Sequence, residues 1–201
     1  MKSQKEKEII EFLRDNIEPL PDKYDKNGVA YRASVYLTDG TYLPCVRFSH
    51  SKPIIELAMR RFQDEQKKDG VGGYYEIVKN FVAHGNCLNI YDIARVEKSR
   101  YALPVSVLEQ IQGETTMAWT GFVVKMKDGK CFNFGTTYLV AFFDMPEGYS
   151  TDDIDEIINH SYVSQTGDVQ SLRLGSFLPG DYNKKTIFRE RPYFECFVDD
   201  L

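Results

Sequence analysis

Two Asp-Gly pairs, Asp39-Gly40 and Asp128-Gly129, constrain what this chain can fold into more than any other feature. Each sits between arms dense in Val, Tyr, Leu or Phe, in the stretches ASVYLTDGTYLPCVRF and GFVVKMKDGKCFNFG. A tight hairpin turn needs positive φ angles, which glycine adopts without steric penalty. Each stretch therefore predicts an antiparallel hairpin. Thirteen Tyr and thirteen Phe in 201 residues strengthen the β signal.

Helical spacing is confined to shorter segments. Ile9, Ile10, Leu13 and Ile17 form one stripe with Phe12 at its margin, Ser3 and Glu6 stand at capping-box spacing, and Pro19 and Pro21 follow. A second helix is expected from about Pro53 to Lys68, capped by Ser51, with Ile54, Leu57, Ala58, Arg61 and Phe62 on its inner stripe. The glycines at 70, 72 and 73 release it into a strand over Tyr74 to Ala83. A third, short helix starts at Pro104 and runs through Val105 and Leu108 toward Gly113. From Gly167 onward, strands are expected over 172–174, 186–189 and 193–198. The fold class is α+β: mainly antiparallel sheet, an N-terminal helix, and a helix inserted after the first hairpin.

The order of elements points to two duplicated β-meander halves. The first hairpin is followed by Phe81-Val82-Ala83, a loop, then Asp92-Ile93-x-x-Val96; the second by Leu139-Val140-Ala141, a loop, then Asp153-Ile154-x-x-Ile157. Two unrelated meanders with ordinary turn chemistry would give the same short matches. The expected layout is a single compact domain, 1–201, holding pseudo-repeats at 29–103 and 117–165 and a β-rich tail at 167–201, since no linker-like stretch separates the halves.

Charge and cysteine usage narrow the function classes. A net charge of −5 opposes a general binder of nucleic acid or anionic membrane, which needs a basic field. Arg60, Arg61, Lys67 and Lys68, and later Lys184, Lys185, Arg189 and Arg191, are interleaved with acids and read as solvated surface. The longest apolar run, Tyr138 to Phe143, is strand-sized, and the charged N-terminus lacks a signal-peptide core. Cys45, Cys87, Cys131 and Cys196 are scattered, as free thiols are in a reducing compartment. The expected location is the cytoplasm, with no membrane partner.

Catalytic signatures are missing from the sequence. There is no GxxxxGK[ST], and Gly70-Val71-Gly72-Gly73 lies between a helix and a strand, the reverse of a phosphate-binding loop. His84 and Cys87, with Cys45 and His50, could in principle supply a tetrahedral set, but zinc sites usually show two close pairs. A His84–Cys87 nucleophile dyad has no local signature behind it. No cofactor, metal or catalytic set is expected, and the balance leans away from an enzyme.

Two features remain. From Asp144 to Asp168 the chain carries Asp144, Glu147, Asp152, Asp153, Asp155, Glu156 and Asp168 without one Lys or Arg. Like charges gathered this way repel, and a basic partner relieves the repulsion. The ordinary account is a solvated loop and a helix start, where acids are favoured anyway. The second feature is the only Trp: Trp119 alternates with Met117 and Gly121, as a core Trp beside a glycine would. The leading expectation is a non-enzymatic binding protein, for example of inhibitor or immunity type. It would take a basic protein partner through Asp144, Glu147, Asp152, Asp153, Asp155 and Glu156. The alternative is a small-ligand binder or enzyme with a pocket formed by Trp119, Glu114, His84 and Cys87.

Overall fold

Both Asp-Gly turns close hairpins in the computed structural model, which describes residues 4–21, 28–52, 54–56, 59, 85–115, 119–137, 142–172, 179–182 and 186–201. In the first, β2 (Ala30–Leu37) pairs with β3 (Tyr42–His50). Gly40 takes φ +89° and its N–H donates to the Leu37 carbonyl at 3.0 Å, while the Asp39 carboxylate accepts from the Thr41 N–H at 2.9 Å. The second, β6 (Thr120–Met126) with β7 (Cys131–Thr136), repeats this geometry: φ +89° at Gly129, Gly129 N–H to the Met126 carbonyl, and Lys130 N–H to the Asp128 carboxylate at 3.0 Å. Asp supplies the side-chain acceptor and Gly the left-handed backbone.

By contact the chain divides into two units, residues 1–98 with 193–201, and residues 99–192. The first opens with α1 (Gln4–Asn16) and β1 (Pro19–Leu20), which pairs with the start of β2. A 3-10 turn over Ile90–Asp92 feeds β5 (Ile93–Lys98), antiparallel to the far half of β2 with a bulge between Tyr36 and Leu37. On the other side of β3 lies β12 (Phe194–Val198), parallel to it, and beyond that the short β4 (Cys87–Leu88). Ile9, Ile10 and Leu13 of α1 bury against Val35, Phe48, Ile93, Val96 and Cys196. A fully buried side chain such as Leu13 or Phe48 contributes about 1.5–3 kcal/mol, so this face holds the unit together.

The second unit begins with the four-residue helix α2 (Val105–Leu108), placed by Pro104 as the sequence predicts. Its sheet runs β11–β7–β6–β8, where β8 is Ile154–Asn159 and β11 is Ile187–Arg189. A 3-10 turn over Thr151–Asp153 feeds β8, which is antiparallel to β6 with a bulge between Lys125 and Met126; β11 is parallel to β7. One face packs on an aromatic core, with Phe122, Phe134 and Phe143 ring centroids 5.8–6.0 Å apart. The other carries the hairpin β9 (Ser161–Val163) and β10 (Val169–Ser171); Asn133 of β7 holds it by donating to the Val163 carbonyl and accepting from the Val163 N–H.

The fold is α+β with mixed sheets: antiparallel pairs, as local patterning predicts, joined by parallel pairs that it does not. The parallel pairs all involve strands brought from elsewhere in the sequence: β12 against β3 and β4, and β11 against β7. The C-terminal region also divides its strands, giving β11 to the second unit and β12 to the first. A strand forms over 169–171 where 172–174 was expected, and 173–178 lie outside the described residues. So do Ser3, the expected Tyr74–Ala83 strand, both Val-Ala segments and most of the expected Pro53–Lys68 helix; residues 51 and 52 before it, and 54–56 and 59 within it, are helical.

Candidate functional site

The acidic segment is built into the second unit by specific local bonds. Ser150 caps the 3-10 turn: its hydroxyl accepts from the Asp152 N–H, and Asp153 reaches back to accept the Ser150 N–H at 2.7 Å. That backbone hydrogen bond, with the Ser150 hydroxyl, holds the Asp153 carboxyl below the ordinary aspartate value. Asp153 is therefore a cap, and its charge is engaged within the turn. Asp144 pairs with Arg191. Asp155 and Glu156, on β8, face Lys125 of β6 at 3.6 and 3.3 Å, and the hydrogen bond that Lys125 donates to Glu156 raises its ammonium above its usual range. Glu147 and Asp152 are exposed, as are Asp155 and Glu156. Exposed pairs of this kind are worth at most about 1 kcal/mol, so the carboxylates stay available for exchange with another cation.

Trp119 packs onto the sheet of the second unit. Gly121 and Gly135 stand opposite each other on β6 and β7, and the indole lies flat across them: a Cβ on Gly135 would fall 2.0 Å from Trp119 Cζ2. The Arg189 guanidinium sits 5.0 Å from the ring. Absence of two side chains creates the platform, and the indole fills it. Met117 lies outside the described residues; Glu114 is exposed.

Cys87 belongs to the first unit, whereas Trp119 and Glu114 belong to the second; His84 lies outside the described residues. Burial and the neighbouring Glu195 carboxylate raise the Cys87 thiol above its normal range, and burial pushes Cys196 up to about 12. An activated nucleophile needs the opposite shift. A cavity of about 490 Å³ beside Cys87 is lined also by Glu6, Tyr91, Phe197 and Asp199. In the second unit a cavity of about 430 Å³ is bounded by Cys131, Asn133, Val163 and Phe188, and Trp119 is not part of its lining. Among the described residues no three His, Cys, Asp or Glu side chains converge as a metal ion requires, and no helix is long and apolar enough to cross a membrane.

Sequence reasoning missed one row altogether. Arg32, Arg47, Glu195 and Cys87 follow one another across β2, β3, β12 and β4 of the first unit, each directly opposite the next. Arg32 is buried, and Arg47 donates to the Tyr193 hydroxyl. The residues are far apart along the chain, and only strand pairing assembles them. Comparison with family models, with curated proteins and with solved structures finds no match for this chain.

Proposed function

We propose that the protein is a non-enzymatic binding protein whose target is another, basic protein, engaged through the acidic surface of the second unit. The observation that carries this reading is the exposed set Asp152, Asp155 and Glu156 on a capped turn and the strand it feeds, in a segment without a cation of its own. A fixed acidic surface attracts a basic partner from a distance and speeds its association. The raised thiols argue against a cysteine nucleophile. An affinity pull-down at low salt tests the reading, comparing the native sequence with a triple Asp152→Asn, Asp155→Asn, Glu156→Gln variant. One dominant basic protein, released at high salt and lost in the variant, is expected. Equal capture by both forms contradicts the proposal.

The two units also read as copies of one ancestral β-meander. The support is their common order: hairpin, 3-10 turn, antiparallel third strand and parallel C-terminal strand. Grafting the second unit's hairpin residues 120–136 in place of 31–48, which carry one extra residue at the bulge, tests equivalence, since a true repeat position accepts its counterpart's backbone. A graft that abolishes β5 pairing opposes the reading.

A further inference from the structure

The sheet of the second unit ends at β8, which pairs with β6 on one side and, among the described residues, with no strand on the other. Both ends of the strand are occupied from beyond the sheet: the Ile154 N–H donates to the Thr151 carbonyl, the Ile158 carbonyl accepts from the Ser161 hydroxyl, and Asn159 accepts from the Gln112 N–H and donates to the Gln110 carbonyl. Residues 155–157 between them present a short open row of main-chain donors and acceptors, which an extended segment can pair with. The side chains on this row choose the segment. Asp155 and Glu156 repel a second copy of the same edge, because like charges directly opposite in a sheet are unfavourable. They already accept an ammonium from the paired side, where Lys125 stands opposite Glu156 and reaches both carboxylates. A strand on the open side meets the same two carboxylates from the mirror direction. The edge of the first unit is different in kind, since β5 carries Arg95, Glu97 and Lys98.

We infer that β8 is a docking edge on which a basic, extended segment of a protein partner adds as a further strand, its Lys or Arg side chains facing Asp155 and Glu156. The inference rests on the proposed recognition of a basic protein and specifies how the segment is held. Main-chain bonds supply the affinity, and the two carboxylates supply the choice of partner.

The test uses the full chain and a fluorescent, end-capped peptide of alternating lysine and valine, about seven residues long as strands commonly are. A second version is N-methylated at alternate residues, keeping every charge and removing strand hydrogen bonds. At low salt the unmodified peptide is expected to bind and to protect amides within 155–157 from hydrogen exchange. N-methylation, and separately Asp155→Asn with Glu156→Gln, should each weaken binding about tenfold or more, the loss of about 1.4 kcal/mol. If the N-methylated peptide binds equally well, strand addition is overturned while charge recognition survives. If the carboxylate variant binds equally well, charge recognition itself is overturned, and so is the inference. A glutamate–valine peptide that binds as tightly overturns it too.

Discussion

The two units share a backbone plan and differ in what they hang on it. Arg32 and Arg47 face each other across the first hairpin; at the corresponding place in the second, Gly121 faces Gly135 and Trp119 covers both. Four residues nearer the turn along β2, Arg95, Tyr36 and Tyr42 form a row across β5, β2 and β3, with the guanidinium 4.3 Å from the Tyr36 ring and the two tyrosine centroids 4.8 Å apart. The second unit sets Glu156, Lys125 and Cys131 in that row. The inward positions keep to one rule: Ala33, Val35, Phe122 and Val124 are all fully buried. The inner face stays apolar in both units, whereas the opposite face, itself buried at Arg32, Ser34 and Val123, changes chemistry without changing register. That change leaves the second unit with the acidic edge.

Removing residues 193–201 should break the comparison most severely. It takes β12 from between β3 and β4 and empties the positions of Cys196 and Val198 in the first core. The second unit contributes no residue beyond Pro192. With only about 5–15 kcal/mol stabilising a whole domain, the first unit is expected to lose its hydrogen-exchange protection while β6 and β7 keep theirs. Uniform loss in both would show that the units do not fold separately.

Gly135→Ala comes next. The new methyl group meets the rigid indole, and overpacking of this kind costs about 1–3 kcal/mol. Gly121→Ala should cost less, since its Cβ would lie 3.1 Å from Leu172 Cδ1 and Trp119 Nε1. Denaturant titration followed by Trp119 emission ranks the two; the reverse order would mean the indole does not rest on Gly135. At the turns, Gly40→Ala and Gly129→Ala should each cost about 1 kcal/mol, because an alanine at φ +89° is strained. Clearly unequal melting shifts would separate the two turns.

The smallest effect concerns pH. Asp153 is held below its ordinary value of 3.8, so its contribution is present above that value and lost as pH falls through the lowered one. The matching turn in the first unit is opened by Asn89, whose amide accepts from the Tyr91 N–H and does not titrate. Thermal melts below pH 4 should therefore fall less steeply for Asp153→Asn than for the native chain. Parallel curves would remove Asp153 from the acid response.

The local elements were legible because their causes are local. Asp39-Gly40 and Asp128-Gly129 carry their own turn geometry, the Ile9–Ile17 stripe marks its buried face, and Pro104 starts α2. Asp153 was legible only as an acid; that it serves as a cap needed the position of Ser150 in the turn. Trp119 was legible as packed beside a glycine, but Gly121 was the visible neighbour, and the closer platform, Gly135, lies across the sheet.

By itself, then, the sequence determined the two hairpins, the inner faces and the acidic composition of 144–168, since turn chemistry and alternation act over a few residues. Tertiary structure decided which strands flank those hairpins and which acids are consumed. β12 reaches β3 from about 150 positions away, and nothing in either strand's pattern names the other. Likewise Asp144 is paired by Arg191 and Asp153 by its own turn, while Asp155 and Glu156 share the single Lys125 on an edge strand. Charge is written in composition; its availability depends on what folding places beside it.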